Sequence, residues 1–529
     1  MEPCHSPTTL TPPDNSAPPV RHFDIALVHT SVTYNRYGWH NPHAAFFVLQ
    51  EDLERHGGLD SFVQKAESGE ICIEPLVIRA NSGESIELSL TTHAPFSVHT
   101  ITKQIPAYSE PCTIFFDDSF FDPSAPPRTS CPERLRTSCP ECSRAFGALL
   151  IEEAGATFHD RYTGEPLPSG TQAVIHRADG TCFREFTLFV HDAALCPNPN
   201  NPAPDNPDAS FPGINYRSEP SSERLSRCED PAYLFSSLVH EDPPTPLLET
   251  HAGDPLLLRL ITIGHRRAPR HPFHTTGMNW RPTSFEWIAP CASCQTFTLN
   301  QPYEAGDHLY TIGGHSCVTM GLWGILRVCG KNDKRLKPIQ NSVHPTLPSI
   351  STIPCVPGEN DVVRKYEIAV IEKKAIPRKD CLSHKPPRYF VPLSDAKREM
   401  KRRRAPAPLV LSADAGDWIE VTLHNCLDAQ TTADVPASSQ RVSLVPQFLR
   451  CDPVYNSGLN IGRNKWEQTV APGEKKKYLW RADQEYGSCL IRSFDSIRFP
   501  QSDHLLATIT IDPAVSSEYK IPAHTKPGG

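Results

Sequence analysis

One motif recurs three times at nearly constant spacing, and it constrains the fold more than any other feature. Residues 74–90 read EPLVIRANSGESIELSL, residues 245–260 TPLLETHAGDPLLLRL and residues 407–423 APLVLSADAGDWIEVTL. Each is an apolar stretch, a turn ending in glycine plus an acid (Gly83-Glu84, Gly253-Asp254, Gly416-Asp417), then an alternating run. The three glycines stand 170 and 163 residues apart. A second motif closes each repeat: AFGALLIEE at 145–153, LWGILRV at 322–328 and LLATITID at 505–512. Two openings also match, RHFDIALV at 21–28 and RKYEIAVI at 364–371. A period of about 165 residues is a duplicated domain, too long for a solenoid repeat.

Within each repeat the apolar runs are short, alternating and separated by Pro, Gly, Asn and Asp, the pattern of a β-sandwich. The chain carries 54 prolines in 529 residues, about twice the usual ~5%, and long helices do not survive that. The expected fold is all-β, with three tandem sandwiches at 21–165, 170–330 and 362–515. A disordered tail (1–20), a linker (331–361) and a C-terminal tail (516–529) complete it. A helix is expected only around 43–66, a loop at 196–222, and HNPH at 40–43 reads as a surface turn. The run KREMKRRRA at 397–405 reads as a solvated loop, or as a nuclear-localisation or anion-binding patch.

Net charge is −8, spread along the chain, which argues against a nucleic-acid-binding surface. No apolar run approaches the ~20 residues of a membrane helix, and the polar, proline-rich start is not a secretory signal. The default expectation is therefore a cytoplasmic protein with no membrane partner. Eighteen cysteines fall well short of the ~8–10% of a disulfide scaffold, and most are expected as reduced thiols. The pairs Cys139/Cys142 and Cys291/Cys294 lie too far apart in sequence to share one zinc.

Two segments could carry chemistry. HPFHTTGMNW (271–280) holds His271 and His274 at i and i+3. GDHLYTIGGHSCVTMGLWGILRV (306–328) holds His308, His315, Cys317 and Met320. Imidazole plus soft sulfur points to copper rather than magnesium or calcium. Either segment alone reads more readily as an ordinary sandwich loop, and only the two together in one domain weigh evenly with a metal site. Phosphate loops, GxSxG elbows and HExxH motifs do not occur.

The three repeats, HPFH, MGLWGILRV and QTVAPGEKKKYLWRA (468–482) together resemble a multicopper oxidase built from cupredoxin domains. RHFDIALVHTSVTYNRYG (21–38), GTQAVIH (170–176) and DPAYLFSSLVHEDPPTPLL (230–248) are similar to segments in the N-terminal part of large bacterial manganese-oxidase-like members. The resemblance implies a blue copper site built from His271, a cysteine, His315 and Met320, but Tyr310 stands in the cysteine position. It implies four His-x-His pairs around a three-copper cluster. Here His99 in FSVHTIT is followed by Thr100 and Ile101, and His274 is followed by Thr275 and Thr276. TSCPECSRAFGALL replaces the closing histidines of the first repeat, and the third repeat offers only SLVPQFLRCDPVYNSGLNIG and His504. A full four-copper site is thus not expected.

What remains is a possible type 2 pair, His99 and His274, and a mononuclear, non-blue copper set of His271, His315 and Met320. The resemblance then implies an oxidoreductase acting with residual copper on a small phenol-like substrate. The alternative is a catalytically inactive cupredoxin-fold binding or scaffold protein. An oligomer, or a partner oxidase that completes a cluster, stays open.

Overall fold

The computed structural model describes residues 20–94, 97–121, 145–193, 211–263, 273–281, 293–299, 303–331, 356–373, 386–428, 440–494 and 505–514. Strands dominate them and form six sheets, two in each repeat. No described helix is long and apolar enough to cross a membrane.

The repeat motif is the corner of each sandwich. Before the Gly-acid turn, Leu76–Asn81, Leu248–Ala252 and Leu409–Asp414 each run parallel to the closing strands Phe146–Glu152, Trp323–Lys331 and Leu506–Asp512. After the turn the chain enters the opposite sheet. There Ser85–Ala94, Leu256–Ile263 and Trp418–Asn425 run parallel to the opening strands Val20–Thr33, Cys182–Ala193 and Val363–Glu372. Antiparallel partners extend both sheets in all three units. The opening strand of the second unit, CFREFTLFVHDA, escaped the sequence comparison because it shares only an Arg-x-aromatic pattern with the other two.

That arginine is the reason the turn ends in an acid. Arg21, Arg184 and Arg364 take the same register, opposite Ile86, Leu256 and Ile419. Arg184 Nε donates to Asp254 Oδ2 and Arg364 Nε to Asp417 Oδ2, both at 2.6 Å, while Arg21 lies 3.6 Å from Glu84. The same carboxylates accept the backbone N–H three residues back, from Asn81 (2.8 Å), His251 (3.3 Å) and Asp414 (3.0 Å). Glycine precedes each acid because φ is +87°, +91° and +99° there, where a Cβ would be strained. One side chain thus closes the turn and ties it to the strand it must pair with. We call this arrangement a clasp.

Alternation fills the space between sheets. In the second unit Phe186, Leu258 and Phe297 from one sheet meet Phe273, Tyr310 and Leu326 from the other. The units also share cores. Phe146 of the first stacks on Tyr216 of the second at 4.7 Å. Leu309 and Trp323 pack with Val445, Ile461 and Phe494 of the third. Beneath the first junction lies a buried ionic chain, in which Glu185 takes Arg79 and Arg259, and Glu152 takes Arg259 and Arg177.

Four expectations are corrected. Residues His40–Leu49 form a strand, so HNPH begins a strand rather than a surface turn. The helical stretch is shorter and split, Gln50–Arg55 and Leu59–Ser68. The apolar run AAFFVL (44–49) is buried and paired with Ile25–Thr30, and that burial overrides helix propensity. The expected loop at 196–222 contains the strand Phe211–Ile214, recruited by Val190–Ala193. KREMKRRRA is no plain loop, since Ala396–Lys401 is a short helix. Thr157–His159 pairs with Gln172–His176 and so joins the sheet of the second unit.

Candidate metal centre

The strand Gly306–Ile312 lies between Trp323–Lys331 and the short strand Phe273–Thr275. Phe273 pairs with Ile312, His274 with Thr311 and Thr275 with Tyr310. Alternation sends Phe273, Tyr310 and Ile312 into the core and turns His274 towards the third unit. There its ring meets Phe448 edge-on at 6.2 Å. Phe448 adopts φ +64°, uncommon for a bulky residue. Its ring stacks with Tyr486, and its carbonyl accepts from Asn279 Nδ2 at 2.6 Å. Burial, and secondarily the charge of Arg492, push the His274 pKa down to about 4. The imidazole is therefore neutral at physiological pH, the state a metal requires.

Tyr310 does not act as a ligand. Its ring is fully buried, and its hydroxyl donates to the Pro246 carbonyl at 2.7 Å. Burial raises its pKa above the usual phenol range. The opposing residue is Gly324, where a Cβ would fall 2.3 Å from the Tyr310 ring and hydroxyl. His308 is equally committed. Its Nδ1 lies 2.7 Å from the Thr276 carbonyl and its Nε2 2.9 Å from the Glu304 carbonyl. Thr276 itself accepts from the Leu309 N–H at 3.0 Å.

Beyond Ile312 the chain turns through Gly313 (φ +86°) into the short helix His315–Thr319. Cys317 is buried in the core of the second unit. Met320 is half-buried, and its carbonyl accepts from Ser218 Oγ at 3.0 Å. Gly321 lies so close to Ser218 and Glu219 that a Cβ would fall 2.3 Å from the Ser218 hydroxyl oxygen. The loop bearing Met320 is thereby clamped. His271, Cys139, Cys142, Cys291 and His504 lie outside the described residues, as does the His315 side chain. His99 is exposed on Ser97–Ile105, the edge strand of the first unit's sheet, whereas His274 faces the third unit.

A blue site needs a thiolate, and Tyr310 and Cys317 are both taken up by the core. Among the described residues, no three His, Cys, Asp or Glu side chains converge on one ion. Sequence reading missed the partners that surround His274. Phe448, Tyr486 and Arg492 come from the third unit, and only the packing of units two and three reveals them.

No protein-family model matches the chain, and no curated protein matches it. Among solved structures it is similar to a multicopper oxidase from Pseudomonas thermotolerans, with 10% identity over 93% of this chain and 99% of that one (TM-score 0.32). It is also similar to the copper-containing nitrite reductase of Thermus scotoductus SA-01, with 11% identity over 94% and 100% of the two chains (TM-score 0.31). A third is the laccase of Botrytis aclada, with 12% identity over 93% and 87% (TM-score 0.32). The three-sandwich fold rests on the chain's own strand pairing.

Proposed function

We propose that this chain is an oxidoreductase of the multicopper-oxidase type, reduced to a single non-blue copper held by His271, His315 and Met320. Its substrate would be a small phenol-like molecule. The observation that supports this reading is the register of Phe273 against Ile312. The strand that carries the second half of HPFH, Phe273–Thr275, begins beside the point where the chain leaves the sheet for His315 and Met320. The copper would supply one-electron exchange when bound. The chain's own residues shape its surroundings: Tyr310 fills the thiolate position with a neutral phenol, His308 braces the loop at Thr276, and Ser218 fixes the Met320 turn.

The test is copper per chain after loading and desalting, with an electron-spin spectrum of the same sample. The expected result is about one tightly held ion without an intense blue band. It should vanish in His271→Ala and His315→Ala, and phenol oxidation should vanish with it. An intense blue band would place a cysteine on the metal and overturn the Tyr310 assignment. Substoichiometric copper in the wild-type protein would defeat the oxidase reading and leave a binding or scaffold protein.

A further inference from the structure

On the sheet of the second unit, a thiol and an imidazole face each other. Gln172–His176 and Cys182–Ala193 form a hairpin in which His176 is the cross-strand partner of Cys182. The connecting turn is rigid. Arg177 N–H donates to the Thr181 carbonyl (2.9 Å) and Gly180 N–H to the Arg177 carbonyl (3.0 Å). Gly180 takes φ +86°, and Asp179 Oδ1 accepts from both the N–H (2.8 Å) and the hydroxyl (2.7 Å) of Thr181. Cys182 Sγ consequently stands 3.0 Å from His176 Nδ1. Both side chains are half-exposed, on the face opposite buried Ile175 and Phe183.

A second imidazole adjoins the pair. Thr157 is the partner of His176 on the other side, and His159, two residues along the same strand, meets the His176 ring edge-on at 5.0 Å. His159 Nδ1 lies 3.0 Å from the Gly164 carbonyl, and Nε2 lies 2.9 Å from the Thr157 hydroxyl. His159 is thus held at both ring nitrogens.

We propose that Cys182 and His176 form a binding site for a soft monovalent cation of the Cu(I)/Ag(I) class. Thiolate and imidazole are the donors such ions select, and two suffice for a linear site. Binding replaces the thiol proton, which leaves to solvent, with a metal–sulfur bond, and the His176 Nδ1 lone pair completes the coordination. No electron is transferred. An ion between the two atoms needs them roughly 4 Å apart, the sum of ordinary metal–sulfur and metal–nitrogen lengths. A half-exposed thiol reaches that by swinging outward about 1 Å. His159 lines the approach. The site is independent of the copper proposed at His271, His315 and Met320, so either can fail alone.

The probe is silver ion, which needs no reductant. The full-length protein, reduced and desalted, receives one equivalent of Ag(I) per chain and is then alkylated with iodoacetamide. Peptide mass spectrometry reads each cysteine. Cys182 should lose alkylation about tenfold, while the exposed Cys72 and Cys426 lose less than about twofold, because neither meets an imidazole among the described residues. In His176→Gln that selectivity should disappear. In Cys182→Ala the tightest equivalent of bound silver should be missing, a readout that stands even if the His176 variant misfolds. Protection of Cys182 no greater than that of Cys72 and Cys426 would overturn the site. So would undiminished protection in His176→Gln, or an unchanged tight equivalent in Cys182→Ala.

Discussion

Asp452 sits almost fully buried where the second and third units meet. Burial raises its pKa to about 6. The Val454 N–H opposes that shift, and Glu304 adds to it. A carboxyl raised in the folded state favours folding while protonated, and that contribution is lost as pH rises through about 6. Asp452→Asn keeps the acceptor for Val454 N–H (2.8 Å) and removes the charge. Its stability relative to wild type should therefore rise by about 2 kcal/mol between pH 4 and pH 7, read by urea unfolding at each pH. A constant difference would mean that the carboxylate is solvated. His274 runs the other way: a depressed imidazole pKa contributes stability above 6.5 that is lost as pH falls towards about 4. Neither residue is readable as titrating anomalously from its sequence neighbours, because Glu304 and Arg492 reach them from another unit or a distant strand.

The clasp is the element-scale counterpart, and half of it was open to sequence reading. The Gly-acid turns stood out because glycine is needed for φ and repeats with the fold. The arginines did not, because a single Arg two residues before an aromatic carries no pattern by itself, and the second opening strand diverged everywhere else. The three clasps differ in burial. Arg184 and Asp254 retain 1% and 3% of side-chain exposure, whereas Arg21 and Glu84 retain 29% and 20%. Breaking a buried pair leaves an uncompensated charge, while an exposed pair contributes little. Asp254→Asn should thus destabilise by about 3 kcal/mol and Glu84→Gln by less than about 1 kcal/mol, measured by chemical denaturation. Equal losses would show that the acids act only through their turns. The same limit explains the candidate centre: HPFH and the His315–Met320 loop were visible as motifs. The burial of Tyr310 against Gly324 depends on a cross-strand register that the sequence does not print.

For the whole molecule, the junction of the first two units rests on the chain Arg79–Glu185–Arg259–Glu152–Arg177. Burial alone would raise the pKa of Glu185, but Arg79 and Arg259 hold its carboxyl below the usual range. Its contribution is present above the ordinary carboxylate pKa and is lost as pH falls through the folded value. Glu185→Gln should lower stability by about 3–5 kcal/mol at pH 7 and by much less in acid, read by calorimetry at both pH values. A loss independent of pH would assign the effect to packing. The clasp also has a kinetic consequence at this scale. In the second and third units it joins residues 70 and 53 positions apart, and the parallel pairing it secures returns no free energy until that loop has closed. Folding of each sandwich therefore waits on a long-range encounter, in the slow range of high contact order. A chain emerging from the ribosome can complete one such search before the next unit has been made.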